Sequence, residues 1–72
     1  MSNTEREKFK ILLRHWIEHN KEHSQEFREW AEKAKGFGEA EAYDDMLEAA
    51  QEMDKANEAL LRALRRLEGN GG

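Results

Sequence analysis

Apolar side chains recur along the chain at alternating steps of four and three residues, in two separate segments. This heptad spacing is typical of α-helices that pack along one seam. The first seam, with two polar interruptions, consists of Phe9, Leu13, Trp16, Asn20, His23, Phe27, Trp30 and Ala34. The second seam, with one polar interruption, consists of Tyr43, Met46, Ala50, Met53, Asn57, Leu60, Leu64 and Leu67. The pattern predicts two long helices.

Local signals give the expected ends of both helices. Thr4 and Glu7 fit a capping box, in which each side chain satisfies an unpaired backbone amide at a helix start. The stretch "KGFG" should end the first helix, with Gly36 in the left-handed conformation. We therefore predict a hairpin domain over residues 1–68, with helices over about 4–35 and 39–68 and a turn at 36–38. Residues 69–72, rich in glycine, are expected to be a flexible tail or the cut edge of a longer protein.

The short turn predicts an antiparallel, all-α helical hairpin. A further stripe on the second helix makes about half of its circumference apolar, more than one partner helix can cover. The stripe consists of Ala42, Ala49, Ala56 and Ala63. We therefore expect two hairpins to form a homodimeric four-helix bundle. Docking onto a different domain would cover the same surface.

Two asparagines interrupt the predicted seams. Counted from the turn in both directions, Asn20 and Asn57 fall within about one helical turn of each other. One interpretation is a buried polar layer that fixes the register of the helices. The other is that they orient a histidine, and the sequence leaves both open.

Composition and charge exclude several classes of function. The 72 residues include no cysteine, so neither disulfides nor thiolate chemistry are available. A net charge of −4 without a basic stripe argues against nucleic-acid binding. No apolar run approaches the roughly 18 residues of a membrane helix, and the polar start "MSNTEREKFK" does not resemble a secretion signal. These features predict a cytoplasmic protein that is not bound to membranes.

All three histidines lie in one register of the first helix, at His15, His19 and His23. Residues four apart share a helix face, so two neighbouring imidazoles can bind one transition-metal ion. His15 and His23 are about 12 Å apart along the axis, too far for one ion to bind all three rings easily. Imidazole and carboxylate together suit zinc, nickel or cobalt. We predict metal ligands at His15, His19, His23 and Glu26.

Further ligands would have to come from other parts of the fold. Asp54 and Glu58 of the second helix should lie near the level of the histidines, and a dimer could bring in the partner's histidines. The competing interpretation is that these histidines bind nothing, because Glu- and Lys-rich helices often carry surface imidazoles.

The aromatic residues of the first helix are expected in the core, at Trp16, Phe27 and Trp30.

The histidine segment also contains an enzyme motif. Both "HWIEH" and "HNKEH" match H-x-x-E-H, in which two histidines hold zinc and the glutamate activates water. A helical hairpin offers neither a cleft nor oxyanion donors. We therefore expect a protein that is not an enzyme.

The segment "LLRHWIEHNKEHSQEFREWAEKA", followed by "AAQEMDKANEALLRAL", resembles a small family of prokaryotic helical-hairpin domains without a settled function. An H-W-I-x-H-N-x-x-H signature precedes an alanine- and glutamate-rich second helix in that family. The resemblance spans most of residues 9 to 67 and implies a loose association with nickel or cobalt handling. It also implies that the characteristic residues are His15, Trp16, His19, Asn20 and His23.

The sequence thus leaves two hypotheses of different classes. The first is a small protein that binds a divalent transition metal for storage or delivery, with a metal-handling protein as a possible partner. The second is a structural or oligomerisation module that binds no small ligand.

Overall fold

The protein is an antiparallel hairpin of two long helices. The structure, a computed structural model, describes residues 2–69, with side chains from residue 4 onward. Helix α1 spans Ser2–Gly36 and helix α2 spans Ala40–Gly69. They form a rod of 55 × 16 × 13 Å. The predicted all-α hairpin is confirmed, and Asn70–Gly72 of the expected tail lie outside the described residues.

Helix α1 begins two residues before the predicted start, so Thr4 lies inside its first turn instead of capping it. Neither α1 nor α2, over the residues described, has a stretch that is both long and apolar enough to cross a membrane.

The connection between the helices is a Schellman motif centred on Gly38. The Glu39 amide donates to the Ala34 carbonyl at 2.8 Å, and the Gly38 amide donates to the Lys35 carbonyl at 3.1 Å. Gly38 has a φ of 92°, whereas Gly36 is the last residue of α1 and has no positive φ. The prediction of a left-handed Gly36 was therefore wrong by two residues, because α1 includes Gly36 and is capped two residues later.

The two glycines of the turn should respond to alanine with opposite signs. Gly38→Ala forces a Cβ onto a left-handed backbone and should lower the free energy of unfolding by about 1 kcal/mol. Gly36→Ala adds a Cβ that meets nothing within 4 Å and improves helix propensity, so it should raise that free energy by about 0.5–1 kcal/mol. Urea unfolding of both variants measures the two changes. Destabilisation by Gly36→Ala would show that the cap is not at Gly38.

The seam between the helices is narrow and lined mostly by small residues. The buried apolar residues are Leu13, Ala31, Ala34, Ala50 and Leu64. Leu13 is the largest side chain that is fully buried, with 1% of its surface exposed. Alanines allow the two backbones to approach closely, but they bury little apolar area per residue. Among the described residues, the apolar core of the single hairpin is therefore thin.

One side of the seam is held by polar contacts between the helices. Ser24 Oγ donates to Asp54 Oδ1 at 2.7 Å, and Arg28 Nη2 donates to Asp54 Oδ2 at 2.8 Å. Further along the same side, Arg14 pairs with Glu68. The Ser24 hydroxyl, and after it the Arg28 guanidinium, lower the pKa of the Asp54 carboxyl. The carboxylate therefore stabilises the fold at neutral pH and loses that contribution as acid protonates it, a small effect at a half-exposed site.

Candidate metal site

The three histidines form a ladder on one face of the unbroken helix α1. The ring centroids of His15 and His19 are 5.7 Å apart, and the rings are nearly parallel at 14°. Those of His19 and His23 are 4.4 Å apart, with the rings inclined at 67°. Phe27 continues the ladder at 6.0 Å from His23. The i, i+4 spacing thus brings neighbouring imidazoles close enough to share an ion.

Glu26, the fourth predicted ligand, contacts only the last histidine of the ladder. Its Oε1 lies 3.5 Å from Nδ1 of His23. The His23 side chain is 40% exposed and the Glu26 side chain is 65% exposed. Within residues 2–69, no group of three or more histidine or acidic side chains is arranged to hold a metal ion. A single chain can therefore supply an ion with two neighbouring ligands at a time. The remaining ligands would have to come from another molecule.

The two acidic residues of α2 that were expected as possible ligands lie on the other side of the seam from the histidines. The Asp54 carboxylate is engaged by Ser24 and Arg28, on the polar side of the seam. Glu58 is four residues further on α2 and shares that helix face. Asp54 thus lies near the level of the histidines, as expected, but on the other side of the seam, so the single chain does not bring Asp54 or Glu58 to the ladder.

Asn57 forms a polar link within the seam. Its Nδ2 donates to the Ile17 carbonyl at 2.9 Å, across the two helices. Its Oδ1 is buried and has no hydrogen-bond partner among the described residues. The bond to Ile17 fits the register interpretation of the asparagine layer, since it favours one alignment of α2 against α1.

The histidines lie on the side of the hairpin opposite its polar links. Each helix has two flanks beside the seam, and the bonded pairs place the flank with Ser24 and Arg28 next to the flank with Asp54. The two remaining flanks must therefore share the other side. We call this side the aromatic–alanine face. It consists of Phe9, Leu12, Trp16, His19, His23 and Trp30 on α1, with His15 at its outer edge, and Ala42, Ala49, Met53, Ala56, Leu60 and Ala63 on α2.

Both tryptophans are exposed on the aromatic–alanine face. Trp16 has 40% and Trp30 has 56% of its surface accessible, and Lys33 Nζ lies 4.2 Å from the Trp30 ring centroid. The single hairpin leaves them exposed, and their place in a core stays a prediction that depends on the expected second hairpin. The heptad pattern gives the apolar direction of a helix but does not say whether the same chain covers it.

The Ser24–Arg28–Asp54 link was not identified from the sequence, although Ser24 and Arg28 have the i, i+4 spacing of a shared helix face.

Fold and site together define a small all-α hairpin protein with a row of imidazoles on its apolar side. Residues 9–67 match the model of a family described as a domain of unknown function, DUF8180. The chain belongs to this family. It is also 40% identical, over 58 residues, to an uncharacterized protein of Archaeoglobus fulgidus, covering 81% of this chain and 92% of that relative. No solved structure matches the chain.

The expected membership of a helical-hairpin family without settled function is confirmed in that coarse form. The histidine signature as a family feature, and the association with nickel or cobalt, stay predictions.

Proposed function

We propose that this protein binds a divalent transition-metal ion, zinc, nickel or cobalt, through the histidine ladder of α1. The observation that carries the proposal is the 4.4 Å separation of the His19 and His23 rings on one continuous helix. Two imidazoles in this arrangement form the bidentate half of a four-coordinate site. A helical hairpin offers few groups around the histidines that could bind and activate a substrate, so the proposed task is holding or delivering the ion. The expected setting is the cytoplasm, where a metal-handling protein would be its partner.

We also infer that the hairpin acts as a homodimer through the aromatic–alanine face. Its accessible surface is 5542 Å². A compact monomer of its 8.5 kDa would expose only about 4,700 Å². The excess follows from the rod shape of the hairpin, which leaves the aromatic–alanine face uncovered. A standard interface buries roughly 800 Å² on each partner. A second hairpin on this face would cover both tryptophans and form a four-helix bundle.

A second function of a different class rests on the same exposed face. If the histidines bind nothing, the hairpin is an oligomerisation module whose task is to pair with another copy. The exposed tryptophans favour this reading as much as they favour the metal protein. Metal binding itself is therefore the discriminating measurement.

Calorimetric titration with zinc and nickel at two pH values tests the proposed function. Imidazole ligates only when neutral, so protonation below about pH 6 competes with the ion. We expect binding at about pH 7.5 and at least tenfold weaker binding at about pH 5.5, where most imidazoles carry a proton. Equal affinity at both pH values would rule out the histidines as the ligands.

His19→Ala is the sharpest variant, because His19 belongs to both possible i, i+4 pairs. We expect metal affinity to fall at least about tenfold while the helical circular dichroism stays unchanged. Glu18→Ala is the matched control, since it removes an adjacent exposed side chain on the same helix and should bind metal like the parent. An unchanged affinity in His19→Ala would favour the oligomerisation module.

A further inference from the structure

We propose that the metal site lies between two hairpins and holds one ion per dimer, with two imidazoles from each chain. The inference rests on the proposed function and adds where the missing ligands come from. In our arrangement the ion is bound by His19 and His23 of one chain and by the partner's His15 and His19. The second copy of the chain is therefore part of the site and not only its support.

The histidine ladder is centred on α1 as the structure describes it. His19 lies 17 residues from Ser2 and 17 from Gly36. His15 and His23 lie four residues on either side of it. When two rods of equal length overlap fully in antiparallel directions, a two-fold axis passes their midpoints. The histidine ladder is centred on that point, so it is self-complementary.

This two-fold symmetry places four imidazoles at neighbouring heights along the two α1 helices. With α1 against the partner's α1, His19 faces the partner's His19 and His23 is level with the partner's His15. Between these two levels each chain presents one i, i+4 pair. One chain presents His19 and His23, with ring centroids 4.4 Å apart, and the partner presents the pair whose centroids are 5.7 Å apart. An equivalent position lies across the axis, but it would need the same two His19 rings. The dimer therefore binds a single ion.

The described part of one chain does not bring four ligands together. Within the described part of the chain no group of three histidine or acidic side chains can hold an ion, and the Asp54 carboxylate is occupied on the other side of the hairpin. A tetrahedral site needs four ligands. The aromatic–alanine face exposes its tryptophans beside the ladder, so the contact that buries them also brings in the partner's histidines.

A different two-fold arrangement would stack α1 on the partner's α2. Large aromatic side chains would then lie opposite alanines, but the two ladders would be diagonal across the bundle and could not share an ion. The centring of the ladder on the helix midpoint has no consequence in that arrangement. We therefore place α1 against the partner's α1. Zinc stoichiometry and disulfide crosslinking distinguish this arrangement from the one with α1 against the partner's α2.

The first test is the stoichiometry of zinc binding to the full chain, by calorimetry together with sedimentation. We expect one zinc ion per two chains and an apparent dimer dissociation constant at least about tenfold lower with zinc than with a chelator, because only the dimer holds the site. One ion per chain, or zinc binding without any effect on dimerisation, would overturn the proposal. The absence of zinc binding would overturn the proposed function as well.

The second test reads the helix arrangement without metal. The chain contains no cysteine, so His19→Cys introduces a unique thiol. With α1 against α1, the two thiols meet at the axis, and mild oxidation should produce a disulfide-linked dimer in high yield. Lys21→Cys, on the polar side of the same helix, is the matched control and should stay mostly unlinked. Equal yields from both variants, or no linked His19→Cys, would contradict the shared site even if zinc binds.

Discussion

Leu13→Ala is expected to destabilise the hairpin by about 2–4 kcal/mol, a large part of the stability available to so small a domain. Leu13 has 1% of its surface exposed and is the only large side chain of the described residues that is fully buried. Its removal leaves a cavity that the surrounding side chains fill only in part. Urea unfolding followed by helical circular dichroism, at one fixed protein concentration, measures the loss.

Ile11→Ala is the control for that prediction. It removes a side chain of the same size two residues earlier on α1, but Ile11 has 63% of its surface exposed. The substitution should change the free energy of unfolding by no more than about 0.5 kcal/mol. Similar losses in the two variants would mean that Leu13 does not occupy the seam and that the buried side of α1 has been assigned wrongly.

The double variant Ala49→Glu, Ala56→Glu is expected to separate the proposed dimer. Both alanines lie on the α2 side of the aromatic–alanine face, where a second hairpin would bury the new carboxylates without partners. Burying unpaired charge costs several kcal/mol, so the dimer dissociation constant should rise at least about 100-fold. Sedimentation or light scattering over a range of protein concentrations measures the change.

The control for the double variant adds the same two charges elsewhere on α2. Ala40 and Gln51 are exposed, lie three turns apart on one side of α2, and face away from both the seam and the aromatic–alanine face. The double variant Ala40→Glu, Gln51→Glu should therefore dimerise like the parent chain. If both double variants dimerise equally well, the two hairpins use another face, and the shared metal site loses its support along with the interface.

The outcomes of these variants also separate the metal hypothesis from the dimer. Ala49→Glu, Ala56→Glu leaves all three histidines in place. If the ion is shared between chains, metal affinity falls together with dimerisation. If the ion is bound within one hairpin, the affinity is retained by the monomer, and only the proposed shared site is contradicted.

The sequence by itself determined the two helices, their antiparallel hairpin and the common register of the histidines. Each depends on local chemistry or on the 3.6-residue period, which is written directly into the order of the residues. The seam was also predictable at Leu13, Ala34, Ala50 and Leu64, because seven-residue spacing selects one side of a helix whatever covers it.

Only the tertiary structure decided which flanks lie together and which predicted ligands are close to the histidines. A heptad pattern gives the angle of a side chain about its own helix but not the rotation of the partner helix. Asp54 was expected near the level of the histidines as a possible ligand, whereas its bonds to Ser24 and Arg28 place it on the opposite side of the seam. The exposure of Trp16 and Trp30 likewise depends on how much of an apolar circumference one antiparallel neighbour can cover.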